Sequence, residues 1–358
     1  MKDDQVVSLL KELDAVPGVS GFEDQIGDKI AEYLTDCTQK SYRDALGNRI
    51  FIKEGKNPNL KLMLSAHMDE IGFIVHDISD DGYVVFLPVG MHDPRLIVNQ
   101  VLTIHTTKGD VTGVTGITKP VHQSKGNESA AFSFADLRID IGAFSRAEAE
   151  KLGVRIGDVI TNDRGSRLLN EKTFCGKSVD NRSGCAAMIL AMQLLKEVET
   201  EATIFCCASV QEEVGIKGSK VAANSIRPDV ALCVDVCFAA LDDQISVTNN
   251  RVYLGKGPAI QLYDWNPQTF LGNIVPAGMR NALLSAAEHT GNPYQVVTAL
   301  YCGTDAAEMS LSNGGVVTGG IGIPNRYMHS VIGTINIDDV KWTAQLIAEF
   351  IKELKQTL

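Results

Sequence analysis

The chain of 358 residues has no stretch of 18 consecutive apolar residues, and its start, MKDDQVVSLLKELD, carries charges throughout instead of the apolar segment of a secretory signal. No membrane partner is read, and a cytoplasmic protein is expected. The chain also lacks any cluster of Lys and Arg. Thirty-three basic against 44 acidic residues leave a net charge of −11, which repels a phosphate backbone and argues against nucleic acid as a partner. None of the eight cysteines forms a C-x-x-C pair, and several sit in apolar runs such as 202–210, ATIFCCASV. Most therefore read as buried, reduced thiols, not as a disulfide frame or a zinc ribbon. Repeats and low-complexity tracts are absent, and with 44% hydrophobic and 22% charged residues the composition excludes a disordered or fibrous chain.

What is present is enough chain for about two domains and an ample core. Val6, Leu9, Leu10 and Leu13 mark one face of a first helix, Ser20-Gly-Phe-Glu23 has the form of a capping box, and LKLMLSA at 60–66 reads as a strand. From about Gly72 to Thr161 the texture changes to short β-rich runs, such as VLTIHT and VTGVTGIT, broken by the turn signals Asp80-Asp81-Gly82 and Lys108-Gly109-Asp110. We read residues 72–161 as a small β domain inserted into a catalytic domain made of 1–71 and 162–358. After Lys172, helices are expected over 181–197, 217–225, 279–289 and 338–355, with strands over 202–210, 229–235 and 316–320. Continuous apolar strands alternating with helices predict an α/β fold whose mixed central sheet is flanked by helices on both faces.

The chemistry-bearing residues lie where strand signals end. His67 and Asp69 follow LKLMLSA, Asp180 opens a helix, Glu212-Glu213 follow ATIFCCASV, Asp235 ends VALCVD, and His329 lies in the turn-like Arg326-Tyr-Met-His-Ser330. In an α/β sheet the carboxyl ends of the strands share an edge, so these groups could converge in one cleft. Singly each has an ordinary reading: Asp180 as a helix cap, His67 as a polar strand end, Glu212-Glu213 as a solvated pair, Asp235 as a turn residue. Jointly, two imidazoles and several carboxylates without a thiolate match a site for hard-to-borderline dications. Of the other histidines, His122 in the insert reads as a surface loop residue or a group reaching the cleft, and His76, His92, His105 and His289 as structural.

The segments His67-Met-Asp69-Glu-Ile-Gly72, Asp180-Asn-Arg182, Gln211-Glu-Glu-Val-Gly215, Gly303-Thr-Asp-Ala306 and Arg326-Tyr-Met-His-Ser330 together resemble the glutamyl and deblocking aminopeptidases, the co-catalytic dimetal family that includes the tetrahedral TET peptidases. In the insert, Val89-Gly-Met-His-Asp-Pro94 and Gly116-Ile-Thr-Lys-Pro-Val-His122 resemble landmarks of that family's dimerisation barrel. Val331, where proline is usual, and Cys302 and Ala307-Glu308, where small glycines are usual, depart from the pattern and bear on substrate preference.

The resemblance implies a metalloprotease, an aminopeptidase acting on peptides with a free N-terminus through two divalent ions per subunit, zinc or cobalt, with manganese as a further candidate. It implies that Asp180 bridges both ions, that Glu213 and His329 complete one site and His67 and Asp235 the other. Asp69 would then hold His67, and Glu212 would act as general acid/base. It further implies a homo-oligomer, at least a dimer and preferably a dodecamer; Leu96, Ile97, Val98, Val101, Phe132 and Phe134 read either as facing a partner or as filling the insert's interior. Arg251 and Lys256, beside Gly255-Lys-Gly-Pro258, are candidates to attract an acidic N-terminal residue, and Arg251 and Arg280 to bind a carboxylate in a rival reading. The rivals are a dimetal deacylase or carboxypeptidase on the same frame, a glycosidase, and a non-catalytic assembly protein.

Overall fold

The computed structural model describes residues 1–116, 133–241, 251–300 and 302–356. His122, Phe132 and most of the segment 116–122 lie outside the described residues. The centre is a nine-stranded sheet in the order Lys40–Arg43, Arg49–Lys53, Ala202–Ser209, Asn57–His67, Val230–Phe238, Val317–Asn325, Ala259–Asn266 and Leu271–Ile274, with Gln295–Leu300 also paired to Ala259–Asn266. The four central strands are mutually parallel, and the remaining neighbours along this path are antiparallel. Parallel strands are covered on both faces, which accounts for their unbroken apolar texture: nearly every residue of Ala202–Ser209 and Val230–Phe238 is buried.

One face is packed by the helices Asp3–Ala15, Asp24–Leu34, Val179–Leu194, Ala277–Thr290 and Ile337–Glu353, the other by Lys217–Ile226 and the short helix Asp305–Ser310. The strands Ala259–Asn266, Leu271–Ile274 and Gln295–Leu300 are not legible in the sequence pattern. They extend the sheet at one side, where their mixed burial leaves no clean alternation to read.

Residues of the insert form a closed antiparallel barrel of six strands, ordered Gly72–Ile78, Val84–Val89, Ile139–Asp140, Gly109–Thr115, Val101–Thr106 and Val159–Asn162. It has a core of its own, in which Phe73, Phe86, Leu102, Ile104, Ile139 and Ile160 are buried. Closure removes the exposed edges that so small a sheet would otherwise present. Of the apolar residues expected to face a partner, Ile97 instead fills this interior, and Val98 and Phe134 pack against it; Leu96 and Val101 are exposed. The eight cysteines are all free and buried, as their apolar neighbours lead one to expect. Among the described residues no helix is long and apolar enough to cross a membrane.

The Ser20–Glu23 capping box does not form. The second helix starts at Asp24 with Glu23 as its cap residue and no side-chain cap, because the Ser20 hydroxyl donates to Asp69 Oδ2 at 2.7 Å. A buried carboxylate demands donors, and that demand overrides the local motif.

Leu64 lies fully buried in Asn57–His67 between two parallel neighbours, facing Cys206 and Leu232 in register. Leu64→Ala should lower the unfolding free energy by about 2–5 kcal/mol, read from the shift of the denaturant midpoint at unchanged slope.

Candidate metal centre and active site

The parallel core sets the positions. His67 is the last residue of its strand and stands in register with Ser209, after which Gln211, Glu212 and Glu213 follow. Asp235 lies on the neighbouring strand, and the strand beyond it, Val317–Asn325, leads into the turn that carries His329. The helix Val179–Leu194 brings Asp180 in from the packed face. Its backbone is not yet helical at Asp180 and Asn181, and the peptide bond between them is cis. Asn181 accounts for that local departure: its amide donates to Val234 O at 2.8 Å, and its oxygen accepts from Gly184 N at 3.0 Å, so the first turn is closed by a side chain.

All seven residues singled out in the sequence come together. Asp180 Oδ1 lies 3.2 Å from His67 Nε2, and Asp180 Oδ2 lies 3.5 Å from His329 Nε2. Asp235 Oδ1 is 3.5 Å from His67 Nε2, and Glu213 Oε2 is 3.4 Å from His329 Nε2. Two groupings fit a cation, His67 with Asp180 and Asp235, and His329 with Asp180 and Glu213; Asp180 belongs to both. A third combination, His67 with Glu212 and Glu213, also places one ligand atom of each within 4.8 Å of the others. Glu212 is the more distant from imidazole, its Oε2 being 4.0 Å from His67 Nε2.

The supporting contacts include residues that the sequence reading passed over. Asp69 accepts from Glu212 N at 3.0 Å and Glu213 N at 3.2 Å besides Ser20, and its Oδ1 stands 3.4 Å from His67 Nδ1. His329 Nδ1 meets Met91 O of the barrel at 3.0 Å, which directs Nε2 toward the carboxylates. Glu70 takes Lys177 and the backbone of Gly18, and lies 3.5 Å from Arg182 Nη2; Arg182 itself donates to Leu13 O and Val16 O. These partners are backbone atoms or charges far apart in the chain, so no local spacing announces them. Outside the site, His105 bonds Asp110 and Thr161, His92 stacks on Phe73, His289 pairs with Glu353, and His76 is exposed. Arg251, Lys256 and Arg280 are exposed, and the loop carrying Lys256 is tied down by Asp339, which accepts from Gly255 N and Gly257 N.

A family model for the M42 glutamyl aminopeptidases matches residues 47–346. The chain belongs to this family. The M42 chain is 35% identical to the lysyl aminopeptidase of Pyrococcus furiosus, over 97% of each chain. It is 34% identical to the glutamyl aminopeptidase of Lactococcus lactis, over 92% of this chain and 91% of that one. Among solved structures it is similar to a Pyrococcus horikoshii TET1 peptidase described as assembling into a tetrahedron or a large octahedral shell. There the TM-score is 0.86 at 31% identity, covering 98% of this chain and 100% of that one. Its activity class is thereby that of an aminopeptidase, a peptide hydrolase.

The electrostatics of this M42 site are those of crowded carboxylates. Burial, opposed by His329 and reinforced by Asp180, pushes the Glu213 carboxyl up to about 8, and burial likewise lifts Asp235 to about 6. Burial pushes Glu212 well above the usual carboxylate range. Burial disfavours a charged His67, yet Asp235, Asp180 and Asp69 outweigh it and hold the ring above its ordinary range; Glu213 and Asp180 do the same for His329. The donor set fits divalent cations: carboxylate oxygens and imidazole nitrogens aimed at a common centre, no thiolate, and like charges in need of compensation.

This sets a pH dependence. A carboxyl raised in the folded state binds its proton more tightly there than when unfolded, so its contribution to stability is lost as pH rises through the folded values of about 6 and about 8. A raised histidine contributes below its unfolded value and also loses that contribution as pH rises through its folded value. Metal-free protein should therefore lose stability from about pH 5.5 to pH 8, whereas a cation binds the deprotonated groups and reverses the trend. The gain in melting temperature on adding zinc to chelator-treated protein should be larger at the higher pH; an equal gain at both would contradict the picture.

Proposed function

We propose that the protein removes N-terminal residues from peptides with the help of two divalent cations, zinc or cobalt, manganese also being suited to the donors. Asp180 would serve both ions, with His67 and Asp235 completing one set and Glu213 and His329 the other. The observation that carries this reading is Asp180, one oxygen toward each histidine at 3.2 and 3.5 Å. Such a pair of cations lowers the pKa of a water and offsets the charge that develops on a carbonyl oxygen under attack.

The rest falls to the chain's own side chains. Glu212 is partly buried beside the ligands, its Oε2 4.0 Å from His67 Nε2, where it can take a proton from water and return it to the amine as the C–N bond breaks. Glu213 Oε2 lies 3.4 Å from His329 Nε2 while Glu212 Oε2 lies 4.0 Å from His67 Nε2, which supports Glu213 as ligand and Glu212 as base. Asp69 holds both of their backbone N–H groups and faces His67 Nδ1, fixing the pair and the ring together. Glu213, with its neighbouring cation, offers the negative counterpart for a free α-amine. A glycosidase would leave both histidines without work. A carboxypeptidase would need a cation for the terminal carboxylate, and its candidates Arg251 and Arg280 are exposed.

Elemental analysis of the loaded protein should approach two ions per chain. Asp180→Ala should lose an ion and nearly all turnover. Glu212→Gln should retain both ions and lose turnover by about 10²–10⁴-fold, whereas Glu213→Gln should weaken metal binding as well. The curated relatives are named for opposite side-chain charges, lysyl and glutamyl, at nearly equal identity. A panel of Glu-, Leu- and Lys-anilides run on the same samples therefore reads the preference directly.

The barrel supports an assembled state. Val101 and Val114 form a cross-strand pair with 41% and 48% exposure, and Leu87, Met91 and Leu96 are also exposed. We infer that these residues meet a second subunit, giving a dimer and, by similarity to the shell-forming relative, a dodecamer built of six dimers. Light scattering should return a multiple of 38.7 kDa, and the double substitution Val101→Asp, Val114→Asp should shift the mass toward one chain.

A further inference from the structure

Residues 18–23 pass along the site without supplying a ligand, yet two of their side chains are buried there. Ser20 is 8% exposed and donates to Asp69 Oδ2 at 2.7 Å. Glu23 is 5% exposed, and one oxygen, Oε1, accepts from Gly21 N at 2.7 Å and from Gln211 N at 3.1 Å. Gln211 has φ +55, a left-handed conformation that a non-glycine residue keeps only when held, and it directly precedes Glu212. Three successive backbone N–H groups, of Gln211, Glu212 and Glu213, thus end on two carboxylates, those of Glu23 and Asp69. The segment itself is anchored to the Asp69 strand end by Gly18, whose N–H meets Glu70 Oε1 and whose oxygen accepts from Glu70 N. As the residue ahead of helix Asp24–Leu34, Glu23 could have capped that helix from solvent; instead its side chain is buried on the far side, against the loop that carries the two glutamates.

We propose that Glu23 is a positioning residue for catalysis: by holding Gln211 N–H it keeps the left-handed turn that aims the Glu212 carboxylate, while Ser20 holds Asp69 for the next two N–H groups. The inference rests on the reading of Glu212 as proton carrier, and the experiment separates the two. The metal-loaded full chain is assayed on an aminoacyl anilide, with bound zinc measured in each variant. E23A should lower kcat by about ten- to a hundredfold, with KM within about twofold and zinc content unchanged. E23Q keeps an oxygen that can accept both N–H groups and should return kcat to within about threefold of the parent. E23D, too short to reach Gln211, covers a failure of E23A to fold and should show the same loss confined to kcat. Parental kcat in E23A or E23D, or an E23Q as slow as E23A, with E212Q inactive, would overturn the positioning role alone. Full turnover by E212Q would overturn the reading on which it rests.

Discussion

One carboxylate facing two imidazoles organises this molecule. Asp180 reaches toward His67 with one oxygen and His329 with the other, and each histidine has a further carboxylate beside it. Burial raises the pKa of such carboxyls and neighbouring like charges raise it further, as Glu213 and Asp235 show. Protons or compensating positive charge relieve that crowding. On the proposed reading two dications supply it, and the cost of crowding acids without them becomes affinity for metal.

The surrounding structure holds that crowd in place. Parallel strands deliver His67, Asp235 and the two loop segments to one edge, which is the general consequence of a sheet whose strands end together. Asp69 and Glu23 then fasten the Gln211–Glu213 backbone, and Glu70 ties Lys177 to the first loop. The barrel does more than present an outer surface, since Met91 O accepts from His329 and sets the ring's orientation. A histidine of the proposed metal site is thus oriented by a carbonyl from the insert.

The order of motifs along the chain and their positions at strand ends were readable before any coordinates. His67, Asp180, Glu212, Glu213, Asp235 and His329 each follow or precede an element whose pattern is strong, because buried parallel strands are continuous apolar runs. The capping box at Ser20 shows where local reading fails. Ser20 and Glu23 do have the spacing of a helix start, but both side chains answer to partners 49 and 188 residues away. The late strands Ala259–Asn266, Leu271–Ile274 and Gln295–Leu300 escaped for a related reason: their burial is set by the sheet they extend, and their own sequence alternates poorly.

By itself the sequence determined the chemical inventory: which acids and imidazoles are present, on which kinds of element they sit, that the cysteines are buried, and that a β-rich insert interrupts an α/β chain. Those follow from composition and periodicity, which are local. The resemblance already implied which histidine goes with which carboxylate; only the tertiary structure gave the distances, with Asp180 oxygens 3.2 Å from His67 Nε2 and 3.5 Å from His329 Nε2 and Glu212 Oε2 4.0 Å from His67 Nε2. It also decided that Ile97 fills the barrel while Val101 faces out. Such choices turn on differences of about one ångström and on contacts between residues tens to hundreds of positions apart, and no local pattern carries that information.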